Sequence, residues 1–438
     1  MKVTTDTIVA QATPPGRGGV AIVRVSGPLV SSITHHIIQK NLKARHATYS
    51  NFFSEKNELI DQGIACYFPN PHSFTGEDIL ELHTHGSPIV INTLIESILF
   101  YGARLARPGE FSLRAFLNNR MDLTQAEAIA DLINASSKQA AKNALNSLQG
   151  VFSKKIHALL DQLIQLRMMI EAEIDFTEEE INFLDPLVIQ QKIQTNLTTL
   201  HHILKTAQQG SLLREGITAV ISGEPNVGKS SLLNALSKRD AAIVTDIPGT
   251  TRDILREYIQ IGGLPIHLID TAGIRESNDP IEQEGIRRAQ VEIQKADLVI
   301  HVVDATQPIP QKLSQLIIRN KIDLINEKPS IMHENDAALI SLSAKTGEGL
   351  ELLEQYIQNC FDLTTNEESL FSARQRHIDA LIKAEKSLQN GFQNLTSSTR
   401  ELLAEDLRQA QNALNEITGE FTSDDLLGKI FSNFCIGK

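Results

Sequence analysis

The run Ile217-Thr218-Ala219-Val220-Ile221 leads through one residue into Gly223-Glu224-Pro225-Asn226-Val227-Gly228-Lys229-Ser230, and then into Ser231-Leu232-Leu233-Asn234-Ala235-Leu236. The first five residues are short, apolar and partly β-branched, as a buried strand requires. The last six lack Gly and Pro and read as helix. Between them stands G-x-x-x-x-G-K-S in the strand–loop–helix setting that gives this motif its physical meaning. Its glycines let successive backbone N–H groups converge on phosphate oxygens, and the following helix presents its positive end to the same point. Asn226, Val227, Gly228, Lys229, Ser230 and Ser231 are therefore expected around a nucleotide triphosphate. Lys229 would reach the β- and γ-phosphates, and Ser230 would ligate Mg²⁺.

The segments that follow come in the order a guanine-nucleotide site needs. Asp270-Thr271-Ala272-Gly273 follows the apolar run Ile266-His267-Leu268-Ile269, where the aspartate supports Mg²⁺ through water and the glycine N–H senses the γ-phosphate. Asn320-Lys321-Ile322-Asp323 follows Leu316-Ile317-Ile318. Asp323 can accept from both N1–H and the exocyclic amine of guanine, an arrangement adenine does not offer. The wrong purine would leave that carboxylate unpaired, so GTP is expected over ATP. Ser343-Ala344-Lys345 supplies backbone donors to the guanine O6. Thr245-Asp246-Ile247-Pro248-Gly249-Thr250-Thr251-Arg252-Asp253 reads as a switch segment, with a threonine closing over Mg²⁺ and the γ-phosphate. One position departs from the Ras-like pattern: Ile274 stands where a water-orienting glutamine is usual, so either another group orients the attacking water or the chain alone hydrolyses slowly.

Residues 215–361 alternate short apolar strands, including Leu298-Val299-Ile300-His301-Val302-Val303, with helical segments, which implies a mostly parallel sheet with crossover helices. On either side, residues 121–214 and 362–438 read as helical; between Gly150 and Gly210 there is no glycine and only Pro186. Two helical stretches around one α/β unit fit an α/β domain inserted into a discontinuous helical domain, or two helical parts that pack separately. Residues 1–120 carry turn clusters and strand-like runs, Val20–Val25 and Ile79–His83, and read as a small α+β domain.

The chain has 438 residues and a net charge of −12, which argues against a chain-wide nucleic-acid footprint. Its three cysteines, Cys66, Cys360 and Cys435, form no C-x-x-C pair, which fits a reducing compartment. With no signal-like start and no run of 18 apolar residues, a cytoplasmic protein without a membrane span is expected. Cys435 reads as a nucleophile or, since no partner base is near it in sequence, more readily as a buried, inert thiol, and His83-Thr84-His85 lacks a third ligand for a metal.

At this point the chain resembles the MnmE (TrmE) family of tRNA-modification GTPases over nearly its whole length. The marks are Ala12-Thr13-Pro14-Pro15-Gly16-Arg17-Gly18-Gly19, Phe74-Thr75-Gly76-Glu77-Asp78, Arg107-Pro108-Gly109-Glu110-Phe111-Ser112, Arg114-Ala115-Phe116-Leu117-Asn118, Gly249-Thr250-Thr251-Arg252-Asp253 and the terminal Cys435-Ile436-Gly437-Lys438. The resemblance implies an N-terminal folate-binding domain, a discontinuous helical domain and an inserted Ras-like P-loop G domain. It implies a homodimer formed through the N-terminal domains, and G domains that meet when GTP binds. K⁺ would stand in for an arginine finger, held by the Asn226 side chain and the carbonyls of Thr245, Ile247 and Thr250, with Ser230 and Thr251 on Mg²⁺. Glu282 matches the family's water-orienting glutamate and answers the question posed by Ile274. For a tetrahydrofolate derivative (5-formyl or 5,10-methylene) the pattern points to Arg24, Glu81, Arg120 and Lys438, Arg120 replacing the commoner lysine. The implied work is on wobble uridine of certain tRNAs, in a heterotetramer with the flavoprotein MnmG, whose FAD and NADH carry the redox steps. A ribosome-assembly GTPase is the rival reading, disfavoured by the acidic balance and the want of a basic RNA-binding motif. A folate-dependent transferase with a regulatory G domain and another substrate is the second.

Overall fold

The computed structural model describes residues 6–175, 185–239, 256–270, 296–308, 316–334, 337–361, 370–395, 400–420, 424–432, 434–435 and 437. It divides into two units, one of Met1–Ala130, Leu148–Pro186 and Asn390–Lys438, the other of Asp131–Ser147 and Leu187–Gln389.

The first unit opens with β1 (Ile8–Gln11), β2 (Gly18–Ser26), α1 (Val30–Ile38), β3 (Thr48–Phe53), β4 (Leu59–Phe68), β5 (Ile79–Gly86), α2 (Pro88–Phe100), β6 (Arg104–Leu105) and α3 (Glu110–Leu117). The strands form a six-stranded sheet in the order β3-β4-β5-β2-β1-β6, antiparallel except for β1 with β6. Period-2 alternation explains its two faces. Val23, Val25, Leu80 and Leu82 point inward and pack with Ile33, Ile37, Leu94 and Ile98 of the two helices. Arg24 and Glu81 point to the other face, directly opposite each other in the β2–β5 register.

Helices α4 (Leu123–Ile133), α5 (Lys138–Leu148), α6 (Val151–Asp175) and α7 (Pro186–Glu215) follow. In α6, Leu159, Leu163, Leu166 and Ile170 recur at helical spacing and are all buried.

The nucleotide-type sheet comprises β7 (Ile217–Ser222), α8 (Lys229–Arg239), β8 (Arg256–Ile261), β9 (Leu264–Asp270), β10 (Leu298–Asp304), β11 (Leu316–Asn320), β12 (Ser330–Glu334), β13 (Ala337–Ser341) and α9 (Leu350–Cys360). Seven strands run in the order β12-β13-β11-β10-β7-β9-β8, the inner five parallel and both edges antiparallel. Parallel strands buried on both faces suit the Val- and Ile-rich runs read from the sequence. The β8–β9 hairpin turns at Gly262 (φ 56°) and Gly263 (φ 86°), the positive pair a tight hairpin favours. The chain ends in α10 (Gln375–Asn394), α11 (Arg400–Thr418) and α12 (Asp424–Ser432); α11 packs along α6 in the first unit. Among the described residues no helix is long and apolar enough to cross a membrane.

Candidate functional site

The order of the sheet reverses at β7, whose neighbours are β10 on one side and β9 on the other. The crevice beyond the carboxyl ends of such strands is where α/β folds receive ligands. The glycine-rich loop lies there. At Gly223 (φ 142°) a Cβ would stand 2.2 Å from the Val302 carbonyl oxygen, and at Gly228 (φ 98°) 2.2 Å from the Asn320 side-chain nitrogen. Both glycines are therefore fixed by close approach as well as by backbone angle. Asn226 holds a left-handed backbone (φ 66°) and its side chain is exposed on the rim. The Lys229 ammonium, 7% exposed, donates to the carbonyls of Gly223 and Glu224, both at 2.8 Å. Ser230 is exposed in the first turn of α8.

The base-side segments brace this loop. Asn320 is 2% exposed; its amide donates to the Val227 carbonyl (2.9 Å) and accepts from the Ala344 N–H (2.9 Å). It thus ties the phosphate loop to Ser343-Ala344-Lys345 through one side chain. Ser343 Oγ donates to Asp323 Oδ1 at 2.6 Å, which fixes the direction of that carboxylate. Lys321, at φ 71°, donates from Nζ to the Asn226 carbonyl and to Asp304 Oδ2, each at 2.7 Å. The Lys321 ammonium, with the Thr306 N–H, holds the Asp304 carboxyl down at about 2. Asp304 ends β10 and carries no signal in the sequence, because only the β10–β11 register brings it beside Asn320 and Lys321. Asp270 closes β9. Thr245, Asp246, Ile247, Pro248, Gly249, Thr250, Thr251, Thr271, Ala272, Gly273, Ile274 and Glu282 lie outside the described residues.

A second cluster sits on the open face of the first sheet. Arg24 Nε donates to Glu81 Oε1 at 2.9 Å, and its guanidinium lies 5.5 Å and 5.7 Å from the ring centres of Phe74 and Phe111. Such a cation over two aromatic faces is held in place as well as charge-paired. Arg24 Nη1 also donates to the Gly437 carbonyl at 3.4 Å. The chain terminus reaches this point because Phe431 and Phe434 pack on Leu123 and Ala126, and the Gly109 N–H donates to the Cys435 carbonyl. Gly437 then passes so close to β1 that a Cβ would stand 2.2 Å from the Gln11 carbonyl oxygen. Arg120 is exposed on the turn after α3, with its Cγ and Cδ against Gly76; Lys438 lies outside the described residues. His83 Nε2 is 3.8 Å from Glu81 Oε2, and His85 pairs with Asp61 at 2.8 Å. No group of three or more metal-ligating side chains occurs among the described residues. Cys435 is exposed, against the expectation of a buried thiol, because the phenylalanines of the tail take up the apolar space instead.

Beneath this face, Arg114 (3% exposed) binds Asp6 Oδ1 at 2.8 Å, Glu77 at 3.1 Å and Glu110 at 3.2 Å, and Arg104 binds Asp6 and Glu110. Burial raises the Glu110 carboxyl, but the hydrogen bonds from Arg104, the Arg107 N–H and Arg114 outweigh it and leave it below the usual range. This network accounts for the repeated charges of Arg107–Arg114 and fixes α3 under the Arg24 face.

The cradle of glycines, the lysine within it and the base-side carboxylate define a P-loop protein of the GTP-hydrolase class. A profile of the MnmE helical domain matches residues 123–435, and one for the GTP-binding protein TrmE N-terminus matches residues 7–120. The tRNA modification GTPase MnmE of Vibrio cholerae is 55% identical over 452 residues, covering 99% of this chain and 100% of its own. Proteins of the same description from Proteus mirabilis (451 residues) and Coxiella burnetii (448 residues) are also 55% identical, each covering 99% of both chains. The chain belongs to the MnmE (TrmE) family of tRNA modification GTPases. It is a GTP hydrolase with a TrmE N-terminal domain, a helical domain and a Ras-like G domain.

Proposed function

We propose that this chain is a K⁺-dependent GTPase that works with the flavoprotein MnmG on the wobble uridine of certain tRNAs. The product carries a carboxymethylaminomethyl or aminomethyl group at C5, built from a tetrahydrofolate one-carbon unit. The observation that supports it most is the pairing of two separate sites in one chain: the braced phosphate loop, and the Arg24–Glu81 pair met by the chain terminus. The domains are assigned as 1–120, 121–214, 215–361 and 362–438, the protein as a cytoplasmic homodimer and the complex with MnmG as a heterotetramer.

In the G domain, Lys229 exchanges its two loop carbonyls for phosphate oxygens, and backbone N–H groups of Asn226–Ser231 take the remaining negative charge. Asp323, aimed by Ser343, reads guanine, while Ala344 and Lys345 supply N–H donors to O6 and Asn320 and Lys321 hold the two walls at fixed spacing. Ser230 and Thr251 would hold Mg²⁺, with Asp270 behind them. Asn226, with carbonyls of Thr245, Ile247 and Thr250, would hold K⁺, which supplies positive charge where an arginine finger otherwise does. The exposed amide of Asn226, on a left-handed backbone whose carbonyl Lys321 already engages, suits a side-chain ligand there. Glu282 orients water; Asp246, Pro248 and Gly249, with Thr271, Ala272 and Gly273, form the switch contacts.

On the N-terminal sheet, Arg24 uses only part of its donor set on Glu81 and Gly437, and the carboxylate keeps Oε2 for the amide and amine edge of a pterin. Arg120 and Lys438 would meet the glutamyl carboxylates. FAD and NADH enter through MnmG. Two measurements test the reading: equilibrium binding of labelled 5-formyl-tetrahydrofolate to the full chain, and mass spectrometry of wobble nucleosides from a deletion strain. Saturable folate binding with loss of the C5 group is expected. No folate binding, or normal nucleosides, would favour a ribosome-assembly role or another transferase substrate.

A further inference from the structure

The chain enters the nucleotide-binding sheet at Glu215-Gly216 and comes back to the helices at Leu370–Arg374, and both crossings converge on one buried carboxylate. Asp131, in α4 and 8% exposed, accepts from Ser372 Oγ at 2.7 Å, Arg374 Nη2 at 2.8 Å and Arg214 Nη1 at 3.4 Å. Arg214 stands in the last turn of α7, and its Nε donates to the Ala373 carbonyl at 3.2 Å. One residue further on, the Glu215 carbonyl meets His267 Nε2 of β9 at 2.9 Å. Gly216 needs its positive φ of 75°, because a Cβ there would stand 2.6 Å from the Pro265 carbonyl oxygen.

The returning segment is gripped equally closely. The Ser372 N–H donates to the Asn143 carbonyl, Ser147 Oγ to the Ser372 carbonyl and the Asn146 amide to the Leu370 carbonyl, at 3.2, 3.1 and 2.8 Å. Gly210 of α7 lies so near Phe371 that a Cβ would be 2.0 Å from its carbonyl oxygen. Leu370, Phe371, Ser372 and Ala373 are all buried. An irregular segment with so many partners transmits displacement, because it has no slack in which to absorb it.

We propose that Asp131 is a positioning residue that couples the state of the nucleotide sheet to the helices by locking the incoming and outgoing crossings into one joint. A shift of β7 and β9 pulls Glu215 and Arg214, and Arg214 carries Asp131, Ser372 and Arg374 with it into α10. In Asp131→Asn the amide still accepts from Ser372, but the charge that holds two guanidinium groups is gone, and the crossings move independently. The proposal rests on the reading that GTP turnover drives tRNA modification.

The test uses the full chain with its flavoprotein partner, tRNA, folate and GTP, and reads modified nucleoside per GTP hydrolysed. Asp131→Asn should hydrolyse GTP at close to the parental rate while the yield per GTP falls about three- to thirtyfold, the range for loss of a coupling contact. Arg374→Lys, which keeps the charge but not the planar fork, should show a smaller fall and serves if the first variant does not fold. Hydrogen exchange at the amides of residues 370–374, compared between GDP and a non-hydrolysable GTP analogue, supplies a readout independent of tRNA. The parental chain should show a nucleotide-dependent difference there that the variants lose. A parallel fall in hydrolysis and yield, or an unchanged exchange response in the variants, overturns the proposal. A parental chain that fails to modify tRNA would defeat the functional reading instead.

Discussion

Asp323 and Asp304 show how a few atoms set the behaviour of the site. Asp323 accepts from Ser343 Oγ, which fixes the direction of the carboxylate proposed to read guanine. Asp323→Asn turns one acceptor into a donor. It should move preference from GTP towards xanthosine triphosphate, with GTP affinity lowered by about tenfold or more, since a mismatched buried polar pair costs roughly 1–3 kcal/mol. Titration calorimetry with both nucleotides reads this, and unchanged selectivity would contradict the base-reading role. Asp304 acts through Lys321, whose ammonium also holds the Asn226 carbonyl. The folded-state pKa of Asp304, about 2, is depressed. Its stabilising contribution is therefore present above the ordinary carboxylate range and disappears as pH falls through the folded value. The melting-temperature deficit of Asp304→Asn should be full at neutral pH and narrow between about pH 4 and pH 2. A deficit independent of pH would show that charge is not what Asp304 contributes. The motif in the sequence singled out Asp323 as a candidate but not Asp304, whose pairing with Lys321 depends on neighbouring strands that only the sheet brings together.

Among the elements, those read correctly from the sequence are those whose pattern is local. Val20–Val25, Ile79–His83 and Ile217–Ile221 are short apolar or alternating runs, and each became a strand. The strands Thr48–Phe53, Leu59–Phe68, Arg256–Ile261 and Ser330–Glu334 mix polar and apolar residues and depend on pairing with neighbours, so they carry little signal of their own. The same contrast holds for the C-terminal tail. Family resemblance pointed to Lys438, yet the contacts that bring the tail to Arg24 are made by Gly437, Phe431 and Phe434. Gly437→Ala places a Cβ 2.2 Å from the Gln11 carbonyl oxygen and must lift the tail. Folate affinity should fall about tenfold while GTP affinity stays within about twofold, as expected for sites without shared partners. Equal affinities for folate before and after the substitution would show that the tail plays no part in that site.

For the whole molecule, an α/β segment between helical stretches was legible because its short apolar strands alternate with helices while the residues on either side read as helix. The joint at Asp131 was not, because its partners are separated by 83 and 243 residues. The proposed dependence on K⁺ involves more than one element, since its proposed ligands come from the phosphate loop and the switch segment together. Replacing K⁺ with Na⁺ should slow GTP hydrolysis about tenfold or more, in line with the loss of one electrostatic stabiliser. Equal rates in the two salts would remove Asn226 from that role. The most direct measurement is reconstitution: purified chain, MnmG, unmodified tRNA, methylene-tetrahydrofolate, an amine donor, NADH, GTP and K⁺, with wobble nucleosides identified by mass spectrometry. Appearance of the C5-substituted uridine only when hydrolysable GTP is present is the predicted result. The same yield with a non-hydrolysable analogue, or no product with every component supplied, would contradict it.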